Sequence, residues 1–316
     1  MEPGPRASDL VGRTLMGKLR VDRVLGAGGM GTVYRVEHLI TRHERALKVL
    51  HPQHGESHET VARFIREAGV AGTLRTPYVV ETYDAGTLEN GAPYVLMELL
   101  HGQPLASLLE RGERVPPGRV VGIVCQVLEG LIVAHAGGIV HRDIKPDNLF
   151  LVRDEQGRER VKILDFGISK FTHGVADYVG TLTSEGTMMG TPFYMSPEQA
   201  SGAKDVDART DLYSLGVILY EGLAGVRPFD GATLAALVIR IHKGECTPLE
   251  VIAPHVSPAL AAVVERTMRP DRDARFASAR ELLEALIPHA DSSYVAPLDT
   301  LREVLAEAPT LQRASM

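Results

Sequence analysis

Tryptophan is absent from this chain and aromatic residues make up only 5% of it, so its core must be built mainly from Leu, Val, Ile and Ala. A basic surplus is missing too. The formal charge is −6 over 316 residues, which excludes the usual electrostatic footprint of a nucleic-acid binder. Only two cysteines occur, Cys125 and Cys246, far apart and outside any CxxC pattern. Isolated thiols without a secretory leader imply a reducing compartment rather than a disulfide framework. Where an apolar leader would open the chain, Pro3, Pro5, Arg6 and Asp9 stand instead. Long hydrophobic runs are nearly lacking as well. The one stretch a membrane might be thought to hold, Val120 to Val140, carries Gln126, Glu129 and His135, polar groups that are costly in hydrocarbon. It reads as a buried core helix, and the chain as cytoplasmic with no membrane span.

What is present points to two lobes, since 316 residues exceed the usual size of one core. After a loose leader over 1–18, short β patterns recur at Arg20–Leu25, Thr32–Val36, Ala46–Leu50, Val79–Thr87 and Pro93–Leu99. One helical segment interrupts them, from about Thr60 to Leu74, with Val61, Phe64, Ile65 and Ala68 at helical spacing. Helical patterns then dominate at Leu105–Arg111, Pro117–Ala136, Asp207–Ala224, Leu234–Lys243, Ser257–Met268 and Ser278–Leu286. The charged run Asp154–Arg160 reads as a hairpin tip. The fold class expected is α+β, with a β-rich N-lobe over about 19–100 and a helical C-lobe over about 101–288. A tail over 289–316 follows, with Leu298, Leu301, Val304 and Leu305 on one helical face.

The chemistry is concentrated in His141-Arg142-Asp143-Ile144-Lys145-Pro146-Asp147-Asn148, followed by Asp165-Phe166-Gly167. Transfer of a phosphoryl group to a hydroxyl needs a base for the proton and oxygen ligands for magnesium. Asp143 suits the first task, Asn148 and Asp165 the second. Upstream, Gly26-Ala27-Gly28-Gly29-Met30-Gly31 lies between two strands, where glycines let backbone N–H groups approach phosphates. A plain hairpin turn would explain such glycines equally well alone. A dinucleotide fold would require a helix next, and β alternation continues instead. Lys48 in Ala46-Leu47-Lys48, and Glu67 on the next helix 19 residues later, offer a phosphate-anchoring lysine and its acidic partner.

In these motifs the chain resembles the eukaryotic-type (Hanks-type) serine/threonine protein kinases of bacteria, over about residues 19 to 288. The resemblance implies ATP and Mg2+ as cofactors and Ser/Thr-bearing proteins as substrates. It assigns Asp143 as base, Lys145 as the lysine steadying the transferring phosphate, and Thr191 as the threonine contacting both. Asn148 and Asp165 would hold magnesium. Leu25, Gly26, Gly28, Gly31, Val33, Ala46, Lys48, Glu98, Leu100 and Phe150 would line the nucleotide, with Met97 as gatekeeper. Phe150 is bulkier than the family's usual residue there.

Asp165 to Glu198 corresponds to the activation segment. It contains Thr181, Thr183, Ser184 and Thr187, with Thr183 and Thr187 the favoured phosphosites and Arg142 their docking cation. Self-association for trans-autophosphorylation fits such a segment. Ser196-Pro197-Glu198 stands where Ala-Pro-Glu is usual, and Tyr213 where Trp is commoner. Asp211 matches the acid that ties a central helix to the catalytic loop, and Glu198 with Arg275 a structural ion pair. A pseudokinase would lack the Lys, Asp or DFG position. A small-molecule phosphotransferase would lack Lys145, Ser-Pro-Glu and the Asp211 helix. His51, His54 and His58 lie in a polar loop without cysteine or helical spacing, a poor metal pattern. Neither a span nor a sensor follows before Met316, which fits a soluble kinase or a fragment equally.

Overall fold

The computed structural model describes residues 10–28, 31–51, 61–62, 64–65, 68–69, 72–111, 114–166, 192–203 and 205–294. The chain divides into two units. The first draws on Met1–Leu74, Val80–His101 and Phe166–Phe171; the second on Arg75–Val79, Gly102–Asp165 and Thr172–Met316.

A six-stranded antiparallel sheet forms the first unit: β1 (Thr14–Leu15), β2 (Leu19–Ala27), β3 (Gly31–His38), β4 (Glu44–Leu50), β5 (Thr82–Thr87) and β6 (Pro93–Glu98), in the order β1-β2-β3-β4-β6-β5. Alternation decides its two faces. One face gathers Tyr34, Val36, Leu47, Val49, Tyr94 and Leu96 with Leu19 and Val21 into a buried cluster. On the other, Val95 packs with Phe64 and Ala68, residues of helical backbone. The region read as loose leader is partly structured. Thr14 and Leu15 pair with Arg20 and Leu19, and Leu10, Leu15 and Met16 pack on the first cluster. A two-residue strand is too short to register as alternation. Val79 stands apart from β5 and bridges Ile163 in the second unit, so the strand expected from Val79 begins only at Thr82.

Helices dominate the second unit, and local signals set their ends. Pro117–Ala136 starts with proline at its first position, where no N–H partner is lost. Ser257 caps Pro258–Thr267 and Ser278 caps Ala279–Leu286, each accepting an N–H three residues on. Arg209–Ala224 ends at Gly225 and Leu234–Lys243 at Gly244, both glycines left-handed, as a helix C-terminus favours. Val121, Val124, Val127, Leu128 and Leu131 of Pro117–Ala136 are fully buried. Each such side chain contributes roughly 1.5–3 kcal/mol. That helix is the one described helix long and apolar enough to cross a membrane, and 67% of its apolar window is buried inside the protein. A small sheet of β7 (Gly102–Pro104), β8 (Leu149–Arg153) and β9 (Glu159–Ile163) completes the unit, with the turn expected at Asp154–Arg160 joining β8 to β9.

Candidate active site

In the first unit, β register brings the nucleotide-lining candidates onto one face. Val33 lies directly opposite Lys48, Ala46 opposite Met97, and Lys48 opposite Val95. Directly opposed residues share a face, as do residues two apart. Val33, Ala46, Lys48 and Met97 therefore sit together, on the face that also meets Phe64 and Ala68. Lys48 is 8% exposed. Glu67, its expected partner, lies outside the described residues. Leu25 is exposed near the end of β2, and Leu100 follows β6 half-buried. Glu98 donates its N–H to the Glu81 carbonyl at 2.9 Å, so that N–H is not the donor a base would use.

The glycine turn is closed by Gly28 N–H to the Gly31 carbonyl, 3.0 Å. A Cβ on Gly31 would come within 2.4 Å of the Val49 carbonyl oxygen, so close strand approach demands glycine there. At Gly26 and Gly28 a Cβ would meet nothing within 4 Å. Packing among the described residues does not require glycine at either position.

The second unit builds its catalytic loop around one buried acid. Asp211, fully buried in the first turn of Arg209–Ala224, accepts the backbone N–H of His141 (2.9 Å) and of Arg142 (2.8 Å). His135 Nε2 lies 2.8 Å from the same carboxylate. Burial alone would raise the Asp211 pKa, but His135 and these N–H groups outweigh it and hold it below the usual carboxylate range. His141 is itself buried. Its Nδ1 accepts the Asp143 N–H at 3.2 Å and its Nε2 donates to the Leu164 carbonyl at 2.8 Å, which fixes the ring between the two stretches of chain. Arg142 carries a left-handed φ of 67°, and Asp165 one of 57°, conformations that cost a non-glycine residue energy. The strain at Arg142, next to Asp143, is held by the bond of its N–H to Asp211.

The Asp143 carboxylate receives Lys145 Nζ at 2.9 Å and Asn148 Nδ2 at 2.9 Å. Asn148 sits in a 3₁₀ turn, Pro146–Asn148, and Nδ2 also donates to the Asp143 carbonyl at 2.9 Å. With both amide hydrogens committed to Asp143, the amide oxygen is the atom through which Asn148 can act on a cation. The Leu164 N–H donates to the Asn148 carbonyl at 2.9 Å, which carries the chain beside Asn148 just before Asp165. An amide oxygen and a carboxylate are hard oxygen donors, the set that fits magnesium. Phe150 stands on β8, half-buried, its ring edge 3.3 Å from where a Gly102 Cβ would lie.

Thr191, Gly167, Thr181, Thr183, Ser184 and Thr187 lie outside the described residues, as do Gly29, Met30, His54 and His58. His51 is described, and its Nε2 is 3.2 Å from Thr32 Oγ1. At the end of the activation segment, Ser196 caps Pro197–Ala200 in a reciprocal box with Gln199 and lies 2.7 Å from Thr210 Oγ1. The hydroxyl that replaces the usual alanine methyl is thus a helix cap. Glu198 receives two bonds of 2.8 Å from Arg275, whose guanidinium is fully buried. Tyr213 lies beneath that guanidinium, 4.9 Å from it, and its buried hydroxyl has no hydrogen-bond partner among the described residues. Arg142 donates to the Val206 carbonyl at 3.2 Å, while its buried Nε has no partner among the described residues.

Two supporting residues escaped the sequence reading. His135 precedes His141 by one short turn, and its bond to Asp211 spans 76 residues. Gln199 donates to the Arg142 carbonyl at 2.7 Å across 57 residues. Both depend on tertiary proximity, and no local pattern announces them.

Residues 19–286 match the model of the protein kinase domain family. Among curated proteins, serine/threonine-protein kinase pkn3 of Myxococcus xanthus is 39% identical over 277 residues, covering 87% of this chain and 50% of that protein. PknB of Mycolicibacterium smegmatis is 34% identical over 307 residues, covering 95% and 48%. The chain thus spans about half the length of these relatives. A crystal structure of the Mycobacterium tuberculosis PknI kinase domain superposes with a TM-score of 0.68 at 30% identity, covering 88% of this chain and 98% of that one. With two-unit architecture, catalytic loop and sequence in agreement, the chain belongs to the protein kinase domain family and groups with bacterial serine/threonine kinases of the Hanks type.

Proposed function

We propose that this domain transfers the γ-phosphoryl group of ATP to serine and threonine hydroxyls of proteins, its own activation segment among them. The observation that supports this best is the Asp143 carboxylate, bonded by Lys145 and Asn148 in a loop anchored on buried Asp211. Asp143 takes the proton of the attacking hydroxyl as its oxygen bonds to the γ-phosphorus and the bond to the ADP oxygen breaks. General-base assistance of this kind contributes roughly 10²–10⁴-fold. Lys145, already beside Asp143, offsets charge on the transferring group. Lys48 binds the α- and β-phosphates, and Glu67 steadies it. Magnesium, when bound, neutralises phosphate charge, and Asn148 and Asp165 supply its protein ligands. Leu25, Gly26, Gly28, Gly31, Val33, Ala46, Leu100, Phe150 and the Glu98 backbone make the nucleotide's surroundings, and Thr191 orients Asp143 and Lys145.

Two copies would meet for phosphorylation in trans, and the cytoplasm is the compartment that supplies ATP and protein substrates. Radiolabel transfer from γ-labelled ATP with magnesium tests the reading, comparing wild type with Asp165→Asn and resolving phosphoamino acids. Labelled phosphothreonine or phosphoserine that disappears in the variant is expected. Persistent label in Asp165→Asn would overturn the role of that acid. A second variant, Asp143→Asn, is expected to lose at least about 10²-fold in kcat while binding ATP normally.

A further inference from the structure

The chain just beyond the family-matched region is folded onto the Pro117–Ala136 helix rather than trailing from it. Asp291 N–H donates to the Gly118 carbonyl at 3.0 Å. A Cβ on Gly122 would lie 2.5 Å from Tyr294 Cβ. Gly118 and Gly122 are one turn apart on the same helical face, and their missing side chains make room for the segment. One turn further, buried Gln126 donates to both the Tyr294 carbonyl and the Glu159 carbonyl at 3.2 Å, and accepts the Val161 N–H at 2.8 Å. The Tyr294 hydroxyl donates to Glu159 Oε1 at 2.8 Å.

This clasp walls one side of a pocket of about 340 Å³, lined by Arg119, Arg153, Arg158, Glu159, Ser293 and Tyr294. Three cations face one carboxylate there. Glu159 is already bonded by Arg119, at 3.1 and 2.8 Å, and by Tyr294. Burial works to raise its pKa, but these bonds outweigh burial and hold it ionised, below the usual range. Arg153 donates one bond to the Gly157 carbonyl, and Arg158 pairs with Asp154 from the hairpin. With Arg119 on Glu159 and Arg158 on Asp154, the three guanidiniums still outnumber the two carboxylates by one, in a protein whose net charge is −6.

We propose that this pocket binds a phosphorylated serine or threonine side chain of a protein segment, docking it away from the catalytic loop. The proposal rests on the kinase reading, because such an enzyme makes phosphorylated side chains of this chemistry. A compact dianion suits guanidinium forks held at several angles. An extended anionic surface suits the place less well. Asp154 lies against Arg158, Asp291 bonds the Ser293 hydroxyl at 2.8 Å, and both would repel it.

The test reads binding, not catalysis, so its failure leaves the kinase reading untouched. Fluorescence polarisation would follow a labelled peptide bearing one phosphothreonine and its unphosphorylated twin, without nucleotide, on the full chain. The proteins are wild type and Arg153→Ala/Arg158→Ala, whose exposed side chains can be removed without opening the core; matched melting curves check this. Expected is binding of the phosphopeptide, at least tenfold weaker for the twin and at least tenfold weaker for the double variant. Equal binding of the two peptides, or undiminished binding by the variant, would overturn the proposal. So would arginine-dependent binding of phosphatidylserine vesicles without phosphopeptide binding, which would make the site one for lipid headgroups.

Discussion

Gly31 and Gly28 belong to one glycine-rich turn, yet different physics bears on each. An added methyl on Gly31 meets the Val49 carbonyl oxygen at 2.4 Å, whereas on Gly28 it meets no atom within 4 Å. Gly31→Ala is therefore expected to lower the stability of the first unit by about 1–3 kcal/mol, the usual cost of overpacking. Gly28→Ala is expected to leave melting unchanged while weakening ATP, since only an approaching phosphate would notice it. Differential scanning calorimetry and nucleotide titration on both variants separate the cases; equal melting points would sink the distinction. Tyr213 makes a similar point in the second unit. Its buried hydroxyl has no partner among the described residues, so Tyr213→Phe is expected to be neutral or to stabilise by up to about 1 kcal/mol in urea titration. The grouping of Asp143, Lys145 and Asn148 was legible because eight consecutive residues carry them, and the structure brings the three side chains into contact. The supports from His135 and Gln199 were not, because each reaches its partner only through the fold.

At the scale of elements, legibility followed locality again. Helices with their own caps, such as Pro258–Thr267 behind Ser257, appear in sequence within a residue or two of their true ends. The strands β7, β8 and β9 went unseen. β8 begins at Leu149, directly after the catalytic motif, and its pairing with β7 joins residues about 50 apart, which no alternation in a three- to five-residue strand reports. The Glu198–Arg275 pair joins elements of the second unit across 77 residues. Arg275 also donates to the Arg269 carbonyl at 2.7 Å and the Pro270 carbonyl at 2.9 Å. Its bond to the Arg209 carbonyl at 3.3 Å makes three carbonyls, and Arg275→Met would leave these and the mostly buried Glu198 charge without their partner. A loss of about 3–5 kcal/mol is expected. Glu198→Gln/Arg275→Met should lose less than Arg275→Met alone, because the uncompensated charge is then gone. Should the single and double variants unfold at the same urea concentration, the ion pair would not be what holds these elements.

Across the whole molecule, buried carboxyls pull stability in opposite directions as pH changes. Asp211 and Glu198 lie below their usual range because, although burial raises them, bonds from His135 and Arg275 outweigh it. Groups of that kind stabilise above their unfolded pKa and lose the contribution as pH falls through the folded one. Glu129, in the Pro117–Ala136 helix, is the reverse case. Burial pushes its carboxyl from 4.5 up to about 6, against the lowering influence of the Tyr78 hydroxyl and Arg160, and its Oε1 is buried without a partner among the described residues. Below pH 4.5 the carboxyl is neutral in both states and its contribution is whole. As pH rises through 6 the folded protein must bury the charge, and about 2 kcal/mol is lost. Glu129→Gln keeps the shape and removes the charge. Its melting point should match wild type near pH 4 and exceed it by ~4–8 °C above pH 7, the shift that 2 kcal/mol produces in a unit of this size. The midpoint of that rising difference should fall between pH 4.5 and 6, the window set by the two values. A difference constant from pH 4 to pH 8 would show that Glu129 has the same pKa in the folded and unfolded protein, and burial would then not be what destabilises its charge.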